Sequence, residues 1–326
     1  MKDPAVSIII PSWNARGALT RCLGSVFRHT AGICFEVIVV DNGSVDGSAE
    51  MVEQRFPKAS LIRNDFNAGF AAACNVGLRS ARGEKVLLLN SDTVVSDNAI
   101  REMSAFLDQH PWAGVAGCAL VREDGSRQRS AGREPGVLNE AVEKLVQLKV
   151  TRKAGVAGLL DQRWLRRPRA VDWVSGAFLM TSKTVISRIG LLHEGFFLYF
   201  EDIEWCVRAR DAGYQILYNP AVRVVHVGGQ SVPWPGSRCG LDYRRSQLLF
   251  YLLRHGNGAN LWALRAYLAF RGSAGAARGW VWQRMGREAE RGAGSPDLDF
   301  HRDLLKLAFA PQTANGVAAQ RTRKGL

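Results

Sequence analysis

Short apolar runs alternate with longer, helix-patterned segments through the first hundred residues. Residues 6–10, 35–40, 61–63 and 85–89 are brief, mostly apolar and bounded by turn residues, as strands buried on both faces are. Between them, 15–28, 47–56 and 68–80 are long enough for helices. This alternation predicts an α/β fold: a doubly wound, mostly parallel sheet with helices on both faces. Further along, 114–120 and 171–181 read as strands and 203–212 as a helix, followed by two short strands ending at His226. A helix near 138–150 precedes a basic loop that runs to residue 169. Residues 241–290 read as basic amphipathic helices, a C-terminal basic helical extension, and 291–326 as frayed or disordered chain.

Ligands of such sheets bind beyond the carboxyl ends of the strands. Pro11-Ser12-Trp13-Asn14 follows the first strand, Asp41-Asn42-Gly43-Ser44 the second and Asn90-Ser91-Asp92 the fourth. Pro11 and Trp13 stand where a dinucleotide fold needs glycines, which argues against nicotinamide or flavin dehydrogenases. Asp41 can be read as turn chemistry or as an acceptor for a nucleotide base or ribose. Asp92 ends a buried run, where a carboxylate could hold a hard divalent cation on a diphosphate. His226 ends another apolar strand, and an Asp and a His in one crevice make a better metal pair than either alone.

Glu201-Asp202 follows the aromatic run 196–200 and opens a helix. The bland reading is a helix cap, with Glu204 and Arg208 an i,i+4 pair on the exposed face. The functional one is a general base, its pKa raised by aromatic neighbours and lowered by the helix N-terminus. The run from Asn67 through Gly69 to Asn75 places small residues at a helix start, which suits either diphosphate approach or tight helix–sheet packing.

The chain has 326 residues, near-average Gly and Pro content, and six scattered cysteines with no CxxC pair. That excludes low-complexity and collagen-like chains, fits neither a zinc ribbon nor a disulfide framework, and is natural for a reducing cytosol. Met-Lys-Asp-Pro leads straight into a strand, so no signal peptide is expected, and no apolar run approaches the ~20 residues of a membrane span. The formal net charge is +13, of which residues 233–326 carry +9, with 15 basic against 6 acidic residues. An anionic partner follows: nucleic acid, a membrane surface or an anionic lipid substrate.

The ordered series 6–14, 37–44, 67–70, 88–93, 176–180, 200–204 and 226–231 resembles the family 2 glycosyltransferases of GT-A fold. Within them it is most similar to the bacterial rhamnosyltransferase and galactofuranosyltransferase branch, over roughly residues 5–255. The resemblance implies a glycosyltransferase domain over 1–240, with a nucleotide-sugar half (1–110) and an acceptor and catalytic half (111–240), ahead of the extension over 241–326. It implies that Pro11, Asn14, Asp41, Asn67, Gly69, Asn75 and Ser91 serve the nucleotide sugar. Asp92, at the last position of a DxD motif, would bind Mg²⁺ or Mn²⁺ with His226. Trp173, Gly176, Ala177 and Phe178 would border the acceptor, and Asp202 would be the catalytic base with Glu201 beside it. Asn90 departs from the motif by replacing its first Asp.

The implied reaction is inverting transfer from a dTDP- or UDP-sugar, dTDP-rhamnose favoured, with UDP-galactofuranose or another hexosyl donor as the alternative. The implied acceptor is a polyprenyl-diphosphate-linked saccharide used for surface polysaccharide at the cytoplasmic face of the bacterial membrane. A nucleotide-sugar-binding protein without transfer is a further alternative. A nucleic-acid-binding protein lacks any helix-turn-helix, zinc-finger or RRM pattern to support it. With the motifs inside 1–231, the basic extension reads as a membrane-surface device. There Arg244, Arg245, Arg254, Arg265, Arg271 and Arg278 interleave with Leu, Phe, Tyr and Trp. The competing reading is a solvated helical face.

Overall fold

A computed structural model describes residues 3–136, 166–227, 238–284 and 298–310. These residues fall into two compact units. The larger holds the described chain to Pro135 together with 166–194 and 201–227; the smaller holds Gly136, Gly195–Phe200, 238–284 and 298–310.

The larger unit is built on a nine-stranded sheet: β1 (Val6–Ser12), β2 (Phe35–Asp41), β3 (Ala59–Arg63), β4 (Lys85–Leu89), β5 (Thr93–Val95), β6 (Ala113–Val121), β8 (Arg169–Val171), β10 (Phe178–Ser182) and β11 (Gln215–His226). Its order is β3-β2-β1-β4-β10-β6-β11-β5, with β8 also on β11. Strands β5, β8 and β10 run against the other six. The order reverses between β1 and β4, so the crevice opens where Ser12 and Leu89 end their strands.

Each central strand is apolar throughout because both its faces are covered. Ile8 and Ile10 of β1 point to one core with Val37, Val39, Leu87, Leu89 and Met180; Ile9 joins Ile38, Val40, Val86, Leu88 and Leu179 in the other. Helices α1 (Arg16–His29), α2 (Ser48–Arg55) and α4 (Ala99–Asp108) cover the first face. Helices α3 (Phe70–Ser80), α5 (Lys183–Ile189) and α6 (Glu201–Asp211) cover the second. A Cβ at Gly77 would lie 2.5 Å from Ile9 Cγ2, so the small residues of α3 seat that helix directly on β1.

Several sequence expectations need correction. The strand expected over 171–181 is three pieces: β8, β9 (Trp173–Val174), which pairs with β7 (Ala131–Gly132), and β10. The breaks fall at Asp172 and over 175–177, where polar and glycine residues make turns instead of ladder. The two strands expected before His226 are one twelve-residue strand, β11, with a register shift between Asn219 and Arg223 around Pro220. The helix after the aromatic run starts at Glu201, two residues earlier than its apolar pattern indicated. Glu204 and Arg208 are not on an exposed face: Glu204 is buried, and Arg208 also donates to the carbonyls of Ile189 and Leu191. The helix expected near 138–150 lies outside the described residues, as do Arg152, Lys153 and Arg163 of the basic loop.

The smaller unit contains α7 (Arg238–His255), α8 (Ala259–Arg284) and α9 (Leu298–Phe309). Residues 246–251 of α7 are all buried, so this helix is enclosed rather than amphipathic. Its Ser246 Oγ donates to Leu198 O, and its Tyr243 and Phe250 pack on Phe200. Helix α8 is amphipathic, burying Leu261, Leu264, Leu268, Gly272 and Gly275 at three- and four-residue spacing. Gly272 and Gly275 let Leu305 and His301 of α9 approach closely. Helix α9 corrects the expectation that everything after 291 is frayed. Among the described residues no helix is long and apolar enough to cross a membrane.

Candidate active site

The β1–α1 and β2–α2 loops are joined by hydrogen bonds beyond the carboxyl ends of their strands. Asn14 adopts φ +48°, its N–H donates to Ser44 Oγ, and its Oδ1 accepts from Val45 N. The Arg16 N–H donates to Asp46 Oδ2. Pro11 is buried in β1 opposite Val40. Asp41, 4% exposed, accepts the Ser44 N–H on Oδ2, whereas its buried Oδ1 has no hydrogen-bond partner among the described residues. The turn reading of Asp41 accounts for one oxygen; the other is an acceptor held ready for a donor.

Asn42 is a residue the sequence reading passed over as turn chemistry. Its amide donates to Asn67 Oδ1 and Gly69 O, and its Oδ1 accepts from Asn64 Nδ2 and Ala68 N. Asn67 in turn accepts the Gly69 N–H. Asn42 therefore fixes the loop entering α3, and Gly43 (φ +75°) admits Phe66 where a Cβ would lie 2.8 Å from its Cα. Asn75 is directed elsewhere. Its amide donates to Leu192 O and Glu194 Oε1 and its Oδ1 accepts from Leu192 N, so its donors pin the 192–194 segment rather than a ribose or diphosphate.

On the other side of β1, the turn after β4 carries Asn90, Ser91 and Asp92. Pairing of β5 with the end of β11 sets Thr93 opposite His226. That register brings His226 Nε2 to 3.2 Å from Asp92 Oδ1 and 3.3 Å from Asn90 Nδ2, with the Asp92 and His226 side chains 15% and 17% exposed. Asn90 Oδ1 is buried without a partner among the described residues. Among those residues no cluster of three His, Cys, Asp or Glu side chains exists, so the carboxylate and imidazole stand as a pair. The donors fit a divalent cation. A carboxylate oxygen and a ring nitrogen 3.2 Å apart are close to neighbouring vertices of an octahedron with bonds of ~2.3 Å, and the orphaned Asn90 oxygen is a neutral third donor. Gln128 was also missed, having no motif to mark it: it contacts His226 through both ends of its amide.

The third element is the first turn of α6. Asp202 Oδ2 accepts the Gly176 N–H at 2.8 Å and Oδ1 accepts the Ile203 N–H. Burial pushes its carboxyl above the usual aspartate value, and the Gly176 and Ile203 N–H bonds oppose the rise. Glu201 is 5% exposed with Oε2 unpartnered among the described residues. Burial first, and then the Asp202 charge, hold its carboxyl well above the usual glutamate value.

Gly176 packs between Asp202 and Phe70. Trp173 donates Nε1–H to Arg133 O and lies under the Arg129 guanidinium. Ala177, in the turn before β10, and Phe178, the first residue of β10, do not present side chains to a substrate, since both are buried. Their expected acceptor contacts are thereby corrected. What Ala177 contributes is its carbonyl, which accepts the Asn90 N–H.

Carboxylates and an imidazole gathered at the strand ends of a GT-A sheet define a glycosyltransferase. Residues 7–169 match the family described as "Glycosyl transferase family 2", and the chain belongs to it. It is 25% identical over 249 residues to the N-acetylglucosaminyl-diphospho-decaprenol L-rhamnosyltransferase of Mycobacterium tuberculosis, covering 72% of this chain and 81% of that one. The fold is shared with the mannosyltransferase PcManGT from Pyrobaculum calidifontis in complex with GDP-Man and Mn²⁺ (TM-score 0.54, 17% identity, 99% and 81% of the two chains). It is also shared with GalNAc-T7 with UDP, GalNAc and Mn²⁺ (TM-score 0.54, 16% identity, 99% and 58%).

Proposed function

We propose that this glycosyltransferase moves a sugar with inversion from a pyrimidine nucleotide sugar to a polyprenyl-diphosphate-linked saccharide, L-rhamnose from dTDP-rhamnose being the favoured donor. The observation that carries this reading is the 3.2 Å approach of His226 Nε2 to Asp92 Oδ1, in a turn whose Asn90 N–H bonds Ala177 O next to the Gly176 N–H that holds Asp202. The rhamnosyltransferase named above supports sugar transfer to a lipid-linked diphosphate acceptor.

In this reading Asp41 Oδ1 accepts a hydrogen bond from the pyrimidine, and the Asn42-held loop at Asn67–Gly69 borders the diphosphate. Asp92, His226 and the Asn90 oxygen would hold the cation; Mn²⁺ is favoured over Mg²⁺ because an imidazole nitrogen suits the softer ion. When bound, the cation supplies Lewis-acid stabilisation of the departing diphosphate. Asp202 takes the proton of the acceptor hydroxyl as that oxygen bonds to the anomeric carbon. The bond from that carbon to the diphosphate breaks, its electron pair leaving on the phosphate oxygen.

The extension supports work at an anionic membrane. Opposite its buried stripe, α8 shows Trp262, Phe270 and Trp280 at 62%, 72% and 53% exposure, a row ~27 Å long at ~1.5 Å per residue. Small residues lie between them, and Arg265 and Arg271 lie on its flanks. Aromatic rings with flanking cations suit the headgroup boundary of an anionic bilayer.

A panel of nucleotide sugars scored for hydrolysis and for transfer to a polyprenyl-diphosphate N-acetylglucosamine acceptor tests the assignment. dTDP-rhamnose is expected to be consumed fastest; preference for UDP-galactofuranose would move the enzyme to the alternative donor. Consumption of no nucleotide sugar would overturn the proposal.

A further inference from the structure

Gln128 lies on the return arm of a tight turn after β6. Gly125 (φ +78°) closes that turn, Arg122 N–H donates to Ser126 O, and the Gln128 N–H donates back to Leu120 O. The arm is fixed further by Ser130, whose hydroxyl bonds Cys118 O and whose carbonyl accepts the Ser175 N–H. From this rigid seat the Gln128 amide meets His226 twice, with Nε2 2.6 Å from the His226 carbonyl oxygen and Oε1 2.7 Å from His226 Nδ1.

These two contacts settle each other. A backbone carbonyl only accepts, so the Gln128 nitrogen must face it and the amide cannot be flipped. Its oxygen then faces Nδ1, and an amide oxygen only accepts, so Nδ1 must carry a proton. In the neutral ring the lone pair is therefore on Nε2, the atom 3.2 Å from Asp92. That lone pair can accept from Asn90 Nδ2 at 3.3 Å, while the Asp92 oxygen beside it favours something positive between the two.

We infer that Gln128 is a positioning residue that holds His226 as the Nδ1–H tautomer, with Nε2 presented beside Asp92. The inference rests on the reading of Asp92 and His226 as the cation-facing pair and adds the residue that prepares the imidazole for it. Partners of this kind typically change metal affinity ~10–100-fold when removed.

The test uses the full-length, metal-free protein labelled with ¹⁵N, its histidine protonation states and tautomers read by long-range ¹H–¹⁵N correlation. A Mn²⁺ titration of the same samples follows. The wild type is expected to show Nδ1–H at His226. Gln128→Leu is expected to lose that preference and to bind Mn²⁺ ~10–100-fold more weakly. Gln128→Glu keeps the acceptor and loses the donor to the His226 carbonyl, so it should retain the Nδ1–H form even if it melts earlier. A merely structural role would make the two variants alike in tautomer. An Nε2–H wild type, an unchanged tautomer in Gln128→Leu, or loss of the Nδ1–H form in Gln128→Glu overturns the inference. Failure of the wild type to bind Mn²⁺ overturns the cation reading instead, a result separable from the tautomer.

Discussion

The Gly176 N–H donates to Asp202 Oδ2 at 2.8 Å, orienting the carboxylate while its burial raises its proton affinity. Asp202→Asn keeps the shape and removes the base, so kcat should fall ~10²–10⁴-fold with donor binding intact. Only the ionised carboxylate can accept the proton. The rate should therefore fall as pH drops through a pKa above the ordinary aspartate range, and kcat measured against pH checks both points. Near-wild-type transfer by the variant would remove Asp202 from the mechanism.

Glu201 predicts a stability effect of definite sign. Its folded-state pKa is raised, so the folded protein keeps a proton that the unfolded chain releases, and stability declines as pH rises from the ordinary glutamate range through the raised value. Glu201→Gln removes that decline. Its melting temperature should exceed wild type by ~2–4 °C at about pH 8 and converge on it near about pH 5. A constant difference across pH would show that the carboxyl's charge is not responsible.

Asp41 Oδ1 is buried and waiting for a donor. Asp41→Asn should weaken dTDP or UDP binding by ~1.5–3 kcal/mol, the range for a hydrogen bond to a charged group, and calorimetric titration reads it directly. Unchanged nucleotide affinity would return Asp41 to turn chemistry.

Chelation should stop turnover, and Mn²⁺ should restore it more effectively than Mg²⁺. His226→Ala should lower the apparent Mn²⁺ affinity more than the Mg²⁺ affinity, because the lost donor is the imidazole. Full activity in EDTA would dismiss the Asp92–His226 cation assignment.

Replacing Trp262, Phe270 and Trp280 together by Ser should reduce co-sedimentation with anionic vesicles at least ~10-fold, since each buried aromatic is worth ~1.5–3 kcal/mol. The folded helical content should be unchanged, because these side chains are outside the α8 core. If the triple variant instead dissociates an oligomer and binds vesicles as before, the face belongs to a second copy of the chain.

The apolar runs of β1, β2 and β4 made the parallel half of the sheet legible, since a strand covered on both faces cannot disguise its pattern. The ends of β2 and β4 then pointed to Asp41 and Asp92, and the end of the apolar run in β11 to His226. Residues joined by geometry alone were harder to see. Gln128 and Asn42 act through amide contacts that bridge residues 98 and 25 positions away, and neither periodicity nor spacing records such a contact. Ala177 and Phe178 misled because they lie within a motif whose backbone, not its side chains, enters the site. Asn75 misled because a polar residue inside a helix can equally clamp a neighbouring loop.

The turn that interrupts the expected strand at 171–181 has a mechanical consequence. The Gly176 N–H donates to Asp202, while the carbonyl of the next residue, Ala177, accepts the Asn90 N–H. In the proposed mechanism, nucleophile activation and leaving-group departure would thus be gauged from neighbouring residues of one turn. A substitution that tilts this turn would shift both in step, so the distance between them is kept as if by a calliper whose jaws cannot drift independently.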